Sequence, residues 1–240
     1  MCDDVAPATH QTRVLNPPAP IGLPERTFAA FLFDMDGTIL SSIEAAERVW
    51  TRWARRHGVE VASFLPTIHG MRGVDTVRRL QLPGVDPEVE AELIHAEEMV
   101  DVEGITAIDG VAAFLAALPA HRWAVVTSAP RELARRRIEA AGLPLPPLLI
   151  SAEDVAQGKP APDCFLLAAA RLGVRPGDCL VFEDAPAGIA AAEAAGAGVL
   201  VITATHAHPQ ASRHPCVASY RALAARVEAD GGLRLAPGRG

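Results

Sequence analysis

The chain lacks several features that would have narrowed its role at once. Its four cysteines, Cys2, Cys164, Cys179 and Cys216, show no Cys-x-x-Cys spacing, so neither a zinc site nor a disulfide framework is indicated. Scattered reduced thiols fit a cytoplasmic protein. No apolar run approaches the ~20 residues that a membrane-spanning helix needs, which argues against a membrane partner. Asp3 and Asp4 stand near the N-terminus, where a secretory signal would carry a basic stretch and then an apolar one. Positive charge is not in excess either. The 22 Lys and Arg are outnumbered by 29 Asp and Glu, for a formal net charge of −7, so there is no electrostatic footprint for nucleic acid. An acidic protein that binds an anion needs a local basic group or a metal, because its overall field gives no help.

What is present is the balance of an ordinary soluble protein, 50% hydrophobic and 21% charged, and 240 residues can hold one large domain or two smaller ones. Residues 1–26 contain five prolines and read as a disordered or extended leader. Residues 226–240, with the Gly- and Pro-containing stretch 231–240, read as a C-terminal tail. A monomer is expected.

Between these ends the hydrophobic pattern changes character twice. Phe31, Leu32 and Phe33 form an apolar run that stops at Asp34, with Asp36 two residues on and Gly37 permitting a tight turn. Two carboxylates at the mouth of a buried strand are costly unless a cation or a reaction uses them; a plain polar turn is the competing explanation. Ile43, Ala46, Val49, Trp50, Trp53 and Ala54 then recur at helical spacing, with Ser41 or Ser42 as candidate cap. Further helices are expected over 74–80 and 87–102, and no strand is expected from 41 to 104. From residue 105 onward short apolar strands, at 123–127, 148–150, 179–182 and 198–203, alternate with helices at 132–141, 163–172 and 188–195. Uniformly apolar strands alternating with helices specify a parallel sheet covered on both faces. The expected fold is therefore α/β: a Rossmann-like parallel-sheet core from residues 27–40 and 105–225, with helices on both faces. A small all-helical cap, residues 41–104, is inserted after the first strand.

In such sheets the site lies at the carboxyl ends of the strands. The polar residues there are Asp34 and Asp36, then Thr127 and Ser128, then Glu183 and Asp184, with Lys159 in the loop after the strand at 148–150. Several carboxylate oxygens suit a hard cation such as magnesium, and a lysine with hydroxyls suits phosphate oxygens. An aspartate in line with a metal-bound phosphate can attack phosphorus, and a second carboxylate can protonate the leaving oxygen and then deprotonate water. Asp34 fits the first role and Asp36 the second.

Four stretches stand in the order of the motifs of the haloacid dehalogenase superfamily, and over about residues 28–220 the chain resembles it. They are Asp34-Met35-Asp36-Gly37-Thr38, Thr127-Ser128, Gly158-Lys159-Pro160, and the run from Phe182 through Glu183 and Asp184 to Gly188. The insertion after the first motif resembles the helical cap of the β-phosphoglucomutase-like branch. Within that branch the chain is similar to sugar-phosphate and polyol-phosphate phosphatases, on residues 50–58, 68–72, 103–106 and 183–189. The resemblance implies that Asp34 is nucleophile and metal ligand, and that Asp36 is general acid/base with its carbonyl on the metal. It further implies that Thr127, Ser128 and Lys159 bind phosphate, and that Asp184, with Glu183 directly or through water, holds Mg2+. Ser41, where many members carry Asp, and Asp109, where Pro is common, depart from the pattern away from the chemistry.

Cap residues 64–73 occupy the position of the branch's specificity loop, where His69 and Arg72 are candidates for contact with sugar hydroxyls or phosphate; a solvated loop is the alternative. Trp50 and Trp53 are expected to pack within the cap. The run Arg135, Arg136 and Arg137 reads as a solvated helix face. His206 and His208 could border the site, but two histidines alone do not make a metal centre. The expected function is a Mg2+-dependent phosphatase for a small sugar or polyol phosphate, acting through an aspartyl-phosphate. The alternative is a sugar-phosphate mutase using the same intermediate. A phosphoacceptor signalling module is shorter and has no helical insertion, and a silent binding protein would have no need of the intact acid and lysine set.

Overall fold

In a computed structural model, residues 22–206 and 212–238 are described. The first 21 residues of the expected leader, and His208, lie outside the described residues. Strand β1 (Ala30–Phe33) is fully buried and carries Asp34 at its carboxyl end. Strand β2 (Leu40–Ser41) leads into the cap helices α1 (Ile43–Arg56), α2 (Val61–Phe64), α3 (Gly73–Leu80) and α4 (Pro87–Val100). Strand β3 (Thr106–Ala107) returns antiparallel to β2, so a two-stranded ribbon joins cap to core. That pair is a small departure from the all-helical expectation: Ser41 sits in a strand. Ser42 occupies the N-cap of α1, yet its hydroxyl makes no capping bond and goes elsewhere.

The chain then runs through α5 (Val111–Ala116), β4 (Trp123–Val126), α6 (Arg131–Ala140), β5 (Leu149–Ile150), α7 (Asp163–Leu172), β6 (Cys179–Glu183), α8 (Pro186–Ala194) and β7 (Gly198–Ile202). Strand β8 (Cys216–Val217), not among the expected strands, adds a sixth to the sheet beside the one at 198–203. The order is β5-β4-β1-β6-β7-β8, all parallel, with β1 flanked by β4 and β6. Alternation along β1 divides the core. Phe31 and Phe33 face one layer with Phe182, Phe114, Leu133 and Tyr220, while Ala30 and Leu32 face the other with Val181, Phe165, Ala168 and Ala191. Phe33 stacks on Phe182 at 4.4 Å between ring centroids, directly beneath the ends of β1 and β6. Each large apolar side chain buried this way is worth ~1.5–3 kcal/mol relative to exposure, which anchors the two strands that carry the acids.

The tail expectation is corrected at its centre. Strands β9 (Leu223–Val227) and β10 (Leu233–Pro237) form an antiparallel pair, and Leu233 and Leu235 belong to the main core. Leu233 also exchanges two backbone hydrogen bonds of 2.7 Å with Phe28. The cap has its own apolar cluster, with Val49, Trp50, Trp53, Phe64, Ile68, Val77 and Ile94. Trp53 is wholly inside it and donates its indole N–H to Glu90 at 2.9 Å. No described helix is long and apolar enough to cross a membrane.

Candidate active site

The polar residues at the sheet's carboxyl edge meet around Asp34. Its backbone N–H donates to the Phe182 carbonyl at 2.9 Å, which registers the end of β1 against β6. Its Oδ1 accepts from Lys159 Nζ at 2.5 Å. The same ammonium donates to Glu183 Oε1 at 2.8 Å and to the Val126 carbonyl at 3.3 Å, so all three of its protons are used. Glu183 Oε2 accepts the backbone N–H groups of Asp184 and Ala185 at 2.7 and 2.8 Å. Both Glu183 oxygens are therefore filled, and the residue is fully buried. It anchors Lys159 and the turn into α8, while Asp34 and Asp184 are the buried carboxylates that border the cavity described below. Glu183 itself does not line that cavity.

Two glycines are required by close approach. Gly37 has a φ of +88°, and a Cβ there would lie 2.0 Å from Asp184 Oδ2. At Gly188 a Cβ would fall 1.5 Å from Glu183 Oε1. Asp184 Oδ1 accepts from Thr38 Oγ1 at 3.1 Å, and the Asp184 carbonyl lies 3.0 Å from His206 Nε2. His206 thus steadies the backbone of an acid. Thr127 is buried, with its hydroxyl accepting from the Ala129 N–H at 3.1 Å, and Ser128 Oγ donates to the Gly70 carbonyl of the cap at 2.9 Å.

Burial pushes the Asp34 carboxyl up to about 8; Lys159 opposes that shift only in part. Asp184 is also raised well above the ordinary range by burial, then by Glu183 and Asp34. Burial lowers the Lys159 pKa, but the Asp34 and Glu183 charges outweigh it and hold its proton above the usual lysine range. One ammonium thus serves three buried acids. Ligand atoms of Asp34, Glu183 and Asp184 lie within 4.8 Å of one another. An oxygen-only, under-neutralised cluster of this kind fits a hard divalent cation.

Residues 28–196 match the family of haloacid dehalogenase-like hydrolases. The chain belongs to that family. Over 178 residues it is 43% identical to hexitol phosphatase A of Escherichia coli, covering 72% of this chain and 82% of that protein. It is 34% identical over 190 residues to glycerol-1-phosphate phosphohydrolase 2 of Saccharomyces cerevisiae, covering 73% and 75% of the two chains. Among solved structures, a hydrolase from Pseudomonas syringae superimposes with a TM-score of 0.65 at 26% identity, covering 73% of this chain and 84% of that one.

Above Asp34 this hydrolase closes a cavity of about 90 Å³ between core and cap. The core contributes Asp34, Asp36, Thr127, Ser128 and Asp184, and the cap contributes Trp50, Ile68, His69 and Glu98. His69 is at the cavity wall, 3.7 Å from Glu47, and burial holds its pKa below the ordinary value. Arg72 does not border the cavity. Its Nε donates to Asp75 at 2.6 Å and its Nη1 to the Val155 and Ala156 carbonyls at 3.4 and 3.2 Å, so it latches the cap to the loop before Lys159. Trp50 packs in the cap as expected and also borders the cavity. A wider open groove on the cap's outer face, between α1 and α4, carries Arg48, Arg52, Glu97 and Asp101 in ion pairs with one another, and no nucleophile.

The sequence reading missed Arg137. Far from a solvated face, it is 6% exposed and contacts Asp36 and Glu98. A signal was available: Leu133, Ala134 and Ile138 mark the buried face of α6, and position 137 falls on it.

Proposed function

We propose that this hydrolase is a divalent-cation-dependent phosphatase acting on a small polyol or sugar phosphate. The observation that carries the reading is the convergence of Asp34, Asp36 and Asp184 on one small cavity roofed by the cap. The names of its relatives, a hexitol phosphatase and a glycerol-1-phosphate phosphohydrolase, support the substrate class.

In this reading an Asp34 oxygen attacks phosphorus, the bond from phosphorus to the ester oxygen breaks, and Asp36 gives its proton to the departing alkoxide. Water then attacks the aspartyl-phosphate, Asp36 takes its proton, and orthophosphate leaves with Asp34 restored. Thr127 and Ser128 are assigned to the phosphate oxygens, and Lys159 orients Asp34 and offsets charge on the transferring group. Asp34, Asp184 and the Asp36 carbonyl are assigned to Mg2+, which when bound supplies charge neutralisation at the phosphoryl group. The roof, including His69, keeps water out until the first transfer is complete.

Orthophosphate release from a panel of hexitol, glycerol, sugar and nucleoside phosphates tests this. Fast release from a polyol or sugar phosphate, abolished by chelation and restored by Mg2+, is expected. Isomerisation without release would replace hydrolysis by a mutase, and undiminished turnover after complete metal removal would reject the cation.

A further inference from the structure

Cap and core are joined beside the cavity by a chain of charges that neither the motifs nor the relatives' names explain. Arg137 projects from α6 of the core. Its Nη1 lies 3.1 Å from Asp36 Oδ1, and its Nη2 lies 3.1 Å from Glu98 Oε1 on α4 of the cap. Ser42, at the start of the cap's first helix, donates to the same Asp36 Oδ1 at 2.5 Å. Asp36 is thus gripped by one oxygen from two sides, and its Oδ2 has no hydrogen-bond partner among the described residues. The Glu98 side chain is only 12% exposed, and desolvation raises its pKa against the opposing pull of Arg137. Arg137 Nε is itself buried without a partner. A guanidinium this deep in the protein lies between two carboxylates, and removing it leaves Asp36 and Glu98 without the positive group they share.

We propose that Arg137 is a positioning residue that couples closure of the cap to the orientation of Asp36. With the cap down, Glu98 fixes one edge of the guanidinium, which then holds Asp36 Oδ1 and leaves Oδ2 to carry the transferred proton. With the cap lifted, Glu98 departs with α4, Arg137 loses one of its two anchors, and Asp36 is free to turn. Proton delivery is thereby confined to the closed state, in which the leaving oxygen is in place. This rests on the reading of Asp36 as the acid.

Two measurements test it, one of which needs no turnover. The first compares kcat/KM for sorbitol 6-phosphate and p-nitrophenyl phosphate, since kcat/KM reports the steps through transfer to Asp34. An alkoxide needs a proton to leave, whereas a nitrophenolate does not. Arg137→Met should lower kcat/KM for the polyol ester about tenfold or more beyond any loss on the aryl ester. Arg137→Lys should recover part of the difference, because it keeps the charge but cannot span both carboxylates. Glu98→Gln should act in the same direction, and the two sites should be non-additive when combined. Equal losses on both esters, or none, would overturn the positioning role. Arg137→Lys carries the same comparison if Arg137→Met does not fold. The second measurement is hydrogen exchange along α4 in the free protein. Arg137→Met should accelerate it, and unchanged exchange would overturn the link to the cap. If the wild-type protein hydrolyses neither ester, the phosphatase reading fails by itself, while exchange still decides the link.

Discussion

Glu183 and Gly188 form the tightest pairing in the site. The carboxylate of Glu183 holds Lys159 on one oxygen and two backbone N–H groups on the other. Gly188, within the first turn of α8, is the space that permits it. Gly188→Ala places a methyl group inside bonding distance of that carboxylate, so either the first turn of α8 or the Glu183 side chain must move. A loss of ~1–3 kcal/mol in urea unfolding is expected, as for overpacked interiors. Turnover should fall with it, because Lys159 loses its anchor. A variant that matches wild type in both would show that Glu183 can relocate freely. At this scale the motif residues were legible in the sequence, because Asp34, Thr127 and Asp184 each follow an apolar strand and need no distant partner to be noticed. Arg137 was not read correctly, since its neighbours Arg135 and Arg136 made a charged run out of a position that lies on the helix's apolar face. Arg72 pairs with backbone carbonyls at 155 and 156, and nothing in its own neighbourhood announces those.

At the scale of elements, sheet and cap helices were visible because each carries its own periodicity. Helix α7 fell on residues 163–172 as its pattern indicated, and β1, β4, β7 and β6 up to Phe182 are continuous apolar runs. The last pair of strands was not visible. Leu233, Arg234 and Leu235 alternate over too few residues to stand out between Gly232 and Pro237, and their burial depends on β9 and Phe28, far away in sequence. That dependence makes a prediction. Leu233→Ala should destabilise the fold by ~2–5 kcal/mol, the range for deleting a fully buried leucine. Residues 231–240 would have to be a dispensable tail for the substitution to leave the urea midpoint unchanged.

For the whole molecule, the buried acids tie stability to pH and, in the proposed reading, to a bound cation as well. The folded-state pKa of Asp34, about 8, lies above the ~4 of an unfolded aspartate. Between those values the metal-free folded state keeps a proton that the unfolded chain has released, so stability falls as pH rises through this window. Asp184 is shifted in the same direction. A divalent cation favours the ionised acids, so the rise in Tm on adding MgCl2 should be larger at pH 8 than at pH 5. Asp34→Asn should flatten the metal-free slope. A Tm gain that is independent of pH would mean that the cation does not sit on these carboxylates.

The proposed reaction turns on the role of Asp34 as the nucleophile whose oxygen accepts the phosphoryl group. It is tested most directly by rapid quench of enzyme mixed with a hexitol phosphate, followed by mass mapping of the peptide that contains residue 34. A transient phosphoryl adduct on Asp34 is expected, together with loss of both adduct and turnover in Asp34→Asn while the fold is retained. Orthophosphate release at the wild-type rate by Asp34→Asn would contradict it.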